Sequence, residues 1–178
     1  YARYITIFRH LQENPQHRFH PIFKWFEEWC NDEFAHGEAF ALLMKADPKL
    51  TKGINVWWIK FFLTAVYATM YIRDHQRPAF HAALGVDPDW YAHEVFTKTS
   101  KLTKQIFPIT LDIENPRWKR GLASIQKANE DLADAKAKGK KFAQLTSSIR
   151  AGIAFLMLLS VPSKKHAVPS VTSLEPAY

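Results

Sequence analysis

Cysteine is almost absent from this sequence, since Cys30 is the one thiol among 178 residues. A single cysteine excludes an intrachain disulfide framework. It also excludes zinc sites built on four cysteines, or on two cysteines and two histidines. A phosphate-binding loop, a dinucleotide-binding fingerprint and a nucleophilic-serine elbow are missing as well. The sequence therefore gives no support to the usual nucleotide-binding and serine-hydrolase classes.

The start of the sequence has neither a methionine nor a signal peptide. It begins at Tyr1, inside an apolar pattern with no capping residue before it. The charged start and short apolar run of a secretory signal are not found there. We therefore interpret the sequence as the carboxyl-terminal part of a longer protein.

Apolar and aromatic residues, in contrast, are plentiful. The chain is 47% hydrophobic and 14% aromatic, with thirteen Phe and six Trp. This composition suffices for a dense core and argues against disorder over the whole length. The length suits one domain, or slightly more than one.

Basic charge is concentrated in the second half of the chain. Residues 1–100 hold 11 basic and 11 acidic residues, whereas residues 101–178 hold 13 basic and 6 acidic residues. The whole net charge of +7 therefore lies in the last 78 residues. Such an excess favours anionic lipid, an acidic protein or nucleic acid as a partner, and a solvated surface explains it equally well.

Apolar residues recur at helical spacing, and strand alternation is hard to find. The spacing predicts six helices, delimited by prolines and one glycine. They run from Tyr1 to Asn14, from Pro21 to about Lys45, from Ile54 to Ile72, from Asp87 to before Pro108, from Asn115 to Gly139 and from about Lys141 to Leu159. The tail from Ser163 is predicted to be irregular.

Two apolar segments raise the question of a membrane. Ile54–Ile72 would form a helix about 29 Å long, close to the thickness of a bilayer core. Lys60 interrupts it, so a buried core helix is the favoured interpretation. Gly152–Val161 is shorter, and basic residues flank it. For that segment, surface association with a membrane is favoured over crossing.

The second helix carries a pair of polar residues whose side chains could bind a metal or transfer a proton. Its stripe at heptad spacing consists of Ile22, Phe26, Trp29, Glu33, His36, Phe40 and Leu43. Glu33 and His36 thus lie in the middle of a face that is expected to be buried. Because an unpaired buried carboxylate is costly, Glu33 must be paired, protonated or bound to a metal.

Three interpretations of this pair stay open. Glu33 and His36 form a satisfied core pair, act as an acid–base pair, or ligate a metal. A Glu-x-x-His unit on one helix face occurs twice in di-iron four-helix bundles, together with two single glutamates. Carboxylate and imidazole ligands suit iron or manganese. Only one such unit is present here, so most of the ligands would have to come from elsewhere.

The first two helices are expected to form an antiparallel pair about a turn near residue 17. Residues whose numbers sum to about 34 then lie at one level, because both helices rise equally per residue. The level opposite Glu33 and His36 falls at residue 1 or just before it. A carboxylate from that helix would therefore precede Tyr1. Asp74 is a further candidate, as a residue that accepts a hydrogen bond from a ligand's imidazole.

Several strings of residues resemble one family. They are Tyr1–Leu11 (YARYITIFRHL), Trp29–Gly37 (WCNDEFAHG), Phe40–Met44 (FALLM) and Phe61–Pro78 (FFLTAVYATMYIRDHQRP). These strings are similar to the aerobic magnesium-protoporphyrin IX monomethyl ester oxidative cyclases of chlorophyll and bacteriochlorophyll synthesis. The similarity covers nearly the whole chain and weakens after about residue 110.

The resemblance implies an all-α, ferritin-like di-iron protein, of which this chain is the carboxyl-terminal half. It implies that Glu33 and His36 are metal ligands of a two-iron centre. It also implies an O2-dependent, monooxygenase-type oxidoreductase that forms the isocyclic ring of divinyl protochlorophyllide. The aromatic residues Trp25, Trp29, Trp57, Trp58 and Phe62 could form porphyrin-binding walls, although plain core positions are favoured for them.

The resemblance further implies partners and a location. These are the magnesium porphyrin substrate, an auxiliary cyclase subunit and a reductant, NADPH or a donor such as ferredoxin. Peripheral association is expected with a photosynthetic membrane, bacterial or chloroplast, and no nucleic-acid partner is expected. The alternative is a truncated, non-catalytic cyclase-like subunit that acts in assembly or membrane docking.

The expected organisation has three parts. Residues 1–110 form the second half of the di-iron bundle, residues 111–162 form a basic helical pair, and residues 163–178 form an irregular tail.

Overall fold

The computed structural model describes residues 1–170 and 173–177. The described residues form seven α-helices and two short strands, in the following order. The elements are α1 (Ala2–Glu13), α2 (Phe26–Ala46), α3 (Ile54–His75), α4 (Pro78–Leu84), α5 (Pro88–Thr103), β1 (Ile109–Leu111), α6 (Pro116–Ala137), α7 (Lys141–Ser160) and β2 (Ser163–Lys165). The predicted all-α fold class is confirmed.

Proline and capping side chains define several helix starts, as the sequence predicts. Pro88 and Pro116 occupy the first positions of α5 and α6, where a missing N–H costs nothing. The side chain of Asp87 accepts a hydrogen bond from the Trp90 N–H, and that of Asn115 accepts one from the Arg117 N–H. Each cap satisfies a backbone donor that has no partner inside its own helix.

The antiparallel pairing of α1 with α2 is confirmed by their ring contacts. The ring centroids of Tyr1 and Phe34 lie 5.3 Å apart, and those of Tyr4 and Trp29 lie 5.8 Å apart. Both pairs have residue numbers that sum to about 34. The first turn of α1 therefore lies at the level of Phe34 on α2.

Buried apolar residues form two clusters. One joins α1 and the start of α2 to α4 and α5, through Ile7, Leu11, Phe23, Phe26, Leu84, Tyr91 and Val95. The other joins α3 and α5 to α6 and α7, with Trp118 and Leu158 at its centre. The three-part organisation predicted from the sequence stays a prediction. In the structure, α6 and α7 share a core with α3 and α5.

The hairpin of α6 and α7 depends on two glycines. Gly139 has φ +64° in the connecting turn, a conformation that L side chains rarely adopt. Gly121 faces Leu158, and a Cβ at Gly121 would lie 2.6 Å from Leu158 Cδ2. The absence of a side chain at Gly121 therefore allows α6 and α7 to approach closely.

A short pair of strands was not predicted from the sequence. β1 and β2 are antiparallel, with Ile109 opposite Lys165 and Leu111 opposite Ser163. Three residues per strand are too few for alternation to be recognised. The predicted irregular tail thus begins with a strand, while Val171, Thr172 and Tyr178 of that tail lie outside the described residues.

Several aromatic residues expected in the core are exposed instead. Trp25, Trp57, Trp58 and Phe62 are 44%, 47%, 45% and 59% exposed. Only Trp29 of that group is partly buried, against the cluster that includes Phe26. The expectation of plain core positions was therefore wrong for the other four. On α3 the buried residues include Ile59, Tyr67 and Ala68.

Candidate metal centre

Glu33 and His36 lie one turn apart on α2, where i and i+3 side chains share a face. Both are exposed, which corrects the expectation that they sit on a buried face. The predicted stripe divides at this point. Phe26, towards its beginning, is 6% exposed, whereas Phe40 and Leu43, at its end, are 71% and 66% exposed.

The end of α1 explains this division. Tyr1 reaches only the level of Phe34, as their ring contact shows. His36 and Phe40 therefore lie beyond the part of α2 that α1 covers. No other described helix closes over this half of α2, so its apolar face opens into a cleft.

The pair fits part of a metal site. Among the described residues, neither Glu33 nor His36 has a hydrogen-bond or ion-pair partner, so both are available as ligands. A carboxylate and an imidazole suit iron or manganese. Within the described ranges, however, no group of three His, Cys, Asp or Glu side chains could hold an ion. The described residues thus supply two ligands and leave the other positions to be filled.

Glu33 and His36 open into a cleft of about 720 Å³. Its apolar wall is aromatic and includes Tyr4, Phe26, Phe34, Phe40, Phe80 and Tyr91. The tryptophans that the sequence suggested as porphyrin-binding walls do not line this cleft. Trp58 and Phe62 line a separate cavity of about 340 Å³ beside α3.

Asp74, the proposed partner of a ligand's imidazole, is buried at 1% exposure in the last turn of α3. Its carboxylate forms an ion pair with Arg3 of α1. Burial raises the pKa of the Asp74 carboxyl, and the Arg3 guanidinium opposes that shift. Its Oδ2 has no hydrogen-bond partner among the described residues. The role of Asp74 as the hydrogen-bond acceptor of a ligand's imidazole stays a prediction.

Two further buried polar residues lie near this ion pair, and the sequence did not indicate them. His81 is 1% exposed and its ring centroid lies 5.2 Å from that of Tyr91. The Nδ1–H of His81 donates to the Arg77 carbonyl oxygen at 3.0 Å, and its Nε2 is buried without a hydrogen-bond partner among the described residues. Burial raises the pKa of the Tyr91 hydroxyl. His81 was not singled out from the sequence because α4, the helix that carries it, was not predicted.

The thiol of Cys30 has no place in this cleft. It is 3% exposed, and burial raises its pKa to about 11. A protonated, enclosed thiol is a poor nucleophile and a poor metal ligand. Cys30 is therefore a small core residue beside the Glu-x-x-His unit, as the sequence suggested.

A family profile named Rubrerythrin matches residues 1–44 of this chain. The match covers α1 and most of α2, and it includes both Glu33 and His36. Rubrerythrin is a ferritin-like di-iron family. Together with the all-helical fold and the Glu-x-x-His unit, this match defines the class as that of ferritin-like di-iron proteins.

Curated relatives define the family more closely. The aerobic magnesium-protoporphyrin IX monomethyl ester oxidative cyclase of Rubrivivax gelatinosus is 46% identical over 181 aligned residues, which cover 100% of this chain and 51% of the relative. The cyclase of Synechococcus elongatus is 47% identical over 138 residues, 77% of this chain and 38% of the relative. The chloroplastic cyclase of Gossypium hirsutum is 46% identical over 136 residues, 74% of this chain and 33% of the relative.

This chain belongs to the magnesium-protoporphyrin IX monomethyl ester oxidative cyclase family, as the resemblance indicated. It corresponds to the carboxyl-terminal part of these proteins and spans about half the length of the Rubrivivax relative. No solved structure shows a significant match.

Proposed function

We propose that this chain is the carboxyl-terminal half of an enzyme that converts magnesium-protoporphyrin IX 13-monomethyl ester to divinyl protochlorophyllide by forming the isocyclic ring. The observation that carries the proposal is the 46% identity to the Rubrivivax cyclase over the whole chain. The open cleft beside Glu33 and His36 is consistent with it, because a macrocycle needs a large apolar site.

Glu33 and His36 would hold iron in this proposal, and the other ligands of a two-iron centre would come from outside the described residues. Their exposure supports this role, because both side chains are available without breaking a contact. When bound, iron supplies the activation of O2 that the oxidation requires. The aromatic lining of the cleft keeps bulk water from the macrocycle and offers flat surfaces for it to pack against.

The proposed reaction also needs electrons and partners. NADPH, or a donor such as ferredoxin, supplies the reductant, and an auxiliary cyclase subunit assists in the complex. Support for an acidic donor is the net charge of residues 101–178, which accounts for the whole +7 of the chain. Basic surfaces speed the association of acidic proteins, and salt weakens that effect.

A chimera tests the proposed reaction. This chain replaces the matching carboxyl-terminal half of the Rubrivivax cyclase, and conversion of the porphyrin is followed spectroscopically with O2 and a reductant. We expect the chimera to form product and its Glu33→Gln variant to form none, because the variant loses a metal ligand. Glu13→Gln, in the exposed last turn of α1, is the matched control and keeps activity. A chimera that binds the porphyrin but forms no product would contradict the proposal.

A second candidate function is non-catalytic, in assembly or membrane docking. The observation that favours it is the apolar helix α7, since only 17% of its apolar window is buried. Such a subunit would contribute surfaces rather than oxygen chemistry. Iron content separates the two candidates, since only the enzyme needs the metal.

Peripheral association with a photosynthetic membrane is proposed for either function. By length and composition, α7 is the one helix in the described part of the chain that could cross a membrane, and only 17% of its apolar window is buried. One side of α7 is apolar and exposed along its length, through Phe142, Leu145, Ile149, Ile153 and Leu156. Lys140 and Lys141 at its amino-terminal end would contact anionic headgroups. A helix with this pattern is suited to lie in the membrane surface.

A further inference from the structure

Two arginines at the junction of α3 and α4 contribute to the cleft that the candidate metal ligands also line. Arg73 belongs to the last turn of α3, and Arg77 is the residue that precedes α4. Both side chains are exposed and line the same cleft as Glu33 and His36. Among the described residues, neither guanidinium makes a hydrogen bond or an ion pair, since the nearby Asp74 is already bound by Arg3. Both guanidinium groups in the cleft therefore lack a hydrogen-bonded anion among the described residues.

The backbone that carries these arginines is fixed by buried groups. The Arg77 N–H donates to the Asp74 carbonyl oxygen at 3.0 Å. The Arg77 carbonyl oxygen accepts from Nδ1–H of the buried His81 at 3.0 Å. The ion pair of Asp74 with Arg3 holds the end of α3 against α1. Both guanidinium groups thus start from a rigid base, which lowers the entropy cost of binding an anion there.

Two carboxylates also line the cleft, and neither forms an ion pair with Arg73 or Arg77 in the described part of the chain. Glu38 accepts a hydrogen bond from the Leu174 N–H at 2.7 Å, so one of its oxygens is already used. Glu33 lies with His36, as a proposed metal ligand. A ligand that fits this cleft therefore combines a large apolar body with a carboxylate, because a guanidinium binds a carboxylate through two parallel hydrogen bonds.

The substrate of the proposed function, on which this inference rests, has that chemistry. Protoporphyrin IX carries two propionates on neighbouring pyrrole rings, and in the monomethyl ester only one of them is a free carboxylate. The ester that reacts and the carboxylate that does not therefore leave the same edge of the macrocycle. The geometry points to Arg73 and Arg77 as the residues that bind the free propionate, so that the neighbouring methyl ester faces Glu33 and His36.

Size and lining agree with this assignment. A cleft of about 720 Å³ lies within the range of ligand sites for molecules of this size. Phe40 and Phe80 supply flat apolar surfaces on the same cleft. Arg73 and Arg77 are positioning residues here, because they touch the end of the substrate that does not react.

Porphyrin binding to the 178-residue chain tests the inference without iron. Absorbance titrations compare magnesium-protoporphyrin IX monomethyl ester with its dimethyl ester, which has no free carboxylate. We expect the wild type to bind the monoester at least about tenfold more tightly, because a charge-assisted hydrogen bond contributes that much. Arg73→Gln and Arg77→Gln should each weaken monoester binding about tenfold and leave dimethyl ester binding unchanged. Arg120→Gln, on the exposed surface of α6 and away from the cleft, is the matched control.

The outcomes separate this inference from the proposed function. If the wild type binds both esters equally, or if the two variants bind the monoester as the wild type does, the arginine assignment is wrong and the proposed function stands. If the wild type binds neither porphyrin, the arginine assignment is wrong, and activity of the chimera decides the proposed function separately. Unchanged dimethyl ester binding in the variants shows that they are folded.

Discussion

Arg3 and Asp74 join the first turn of α1 to the last turn of α3 by a largely buried ion pair. Burial raises the pKa of the Asp74 carboxyl above its ordinary value of 3.8, while Arg3 partly offsets the shift. The folded chain therefore holds the Asp74 proton more tightly than the unfolded chain does. The stability that this proton contributes is present below pH 3.8 and is lost as the pH rises through the folded pKa.

The Arg3→Gln substitution is predicted to destabilise the chain in a pH-dependent way. Without the guanidinium, burial alone acts on Asp74, so its pKa rises further and its ionised form becomes costlier. We expect a loss of about 3 kcal/mol in the free energy of unfolding at neutral pH, and a smaller loss near pH 4. Urea unfolding at both pH values measures the difference. In the Asp74→Asn background the loss should no longer depend on pH, and an equal loss at both pH values in the single variant would refute this account.

At the residue scale, the sequence could single out candidate ligands but could not predict how exposed they are. The heptad stripe identifies Glu33 and His36 from spacing alone. Their burial depends on what covers α2, and α1 reaches only as far as Phe34. Periodicity marks a face as apolar without telling whether a partner helix is present in the same chain. The Arg3–Asp74 pair was missed for a related reason, since its partners are 71 residues apart.

At the scale of elements, prolines and capping side chains made most helix boundaries predictable. Pro88 and Pro116 begin their helices as expected, and Gly139 ends α6. The seven-residue helix α4 and the three-residue strands were not predicted, because too few residues repeat within them. Helix α7 was predicted to end near Leu159, but its exposed apolar side became evident only from the packing of α6 on its other side.

The exposed side of α7 predicts binding to anionic lipid vesicles. Its apolar side chains would enter the interface, and burial of each large aliphatic side chain contributes about 1.5–3 kcal/mol at most. We expect the double substitution of Ile149→Gln and Ile153→Gln to weaken vesicle binding at least about tenfold, as measured by flotation or by tryptophan fluorescence. Added salt should weaken the binding of the wild type, because lysines flank the helix.

Phe19→Gln provides a matched control for that experiment. Phe19 is 50% exposed, yet it packs against Phe23 and Phe80 in the other cluster rather than on α7. Its substitution should leave vesicle binding unchanged. Equal binding by the wild type and the double variant would show that α7 does not meet the membrane.

At the scale of the whole molecule, this chain spans about half the length of the Rubrivivax relative. It carries two proposed ligands of a two-iron site, Glu33 and His36. Tyr1 lies opposite Phe34 on α2, next to the open cleft. A further carboxylate that approached the cleft from the side of Tyr1 would complete the site. The sequence alone could predict the fold class and the family. It could not predict the cleft, because residues of α1, α2, α3, α4 and α5 form it together.

Iron content tests the central claim most directly. In the chimera with the amino-terminal half of the Rubrivivax cyclase, we predict about two iron ions per chain, and loss of most of that iron in Glu33→Ala and in His36→Ala. Circular dichroism confirms that the variants keep their helices. A chimera that holds no iron, or variants that retain both ions, would contradict the assignment of Glu33 and His36 as ligands and would leave the non-catalytic role as the better account.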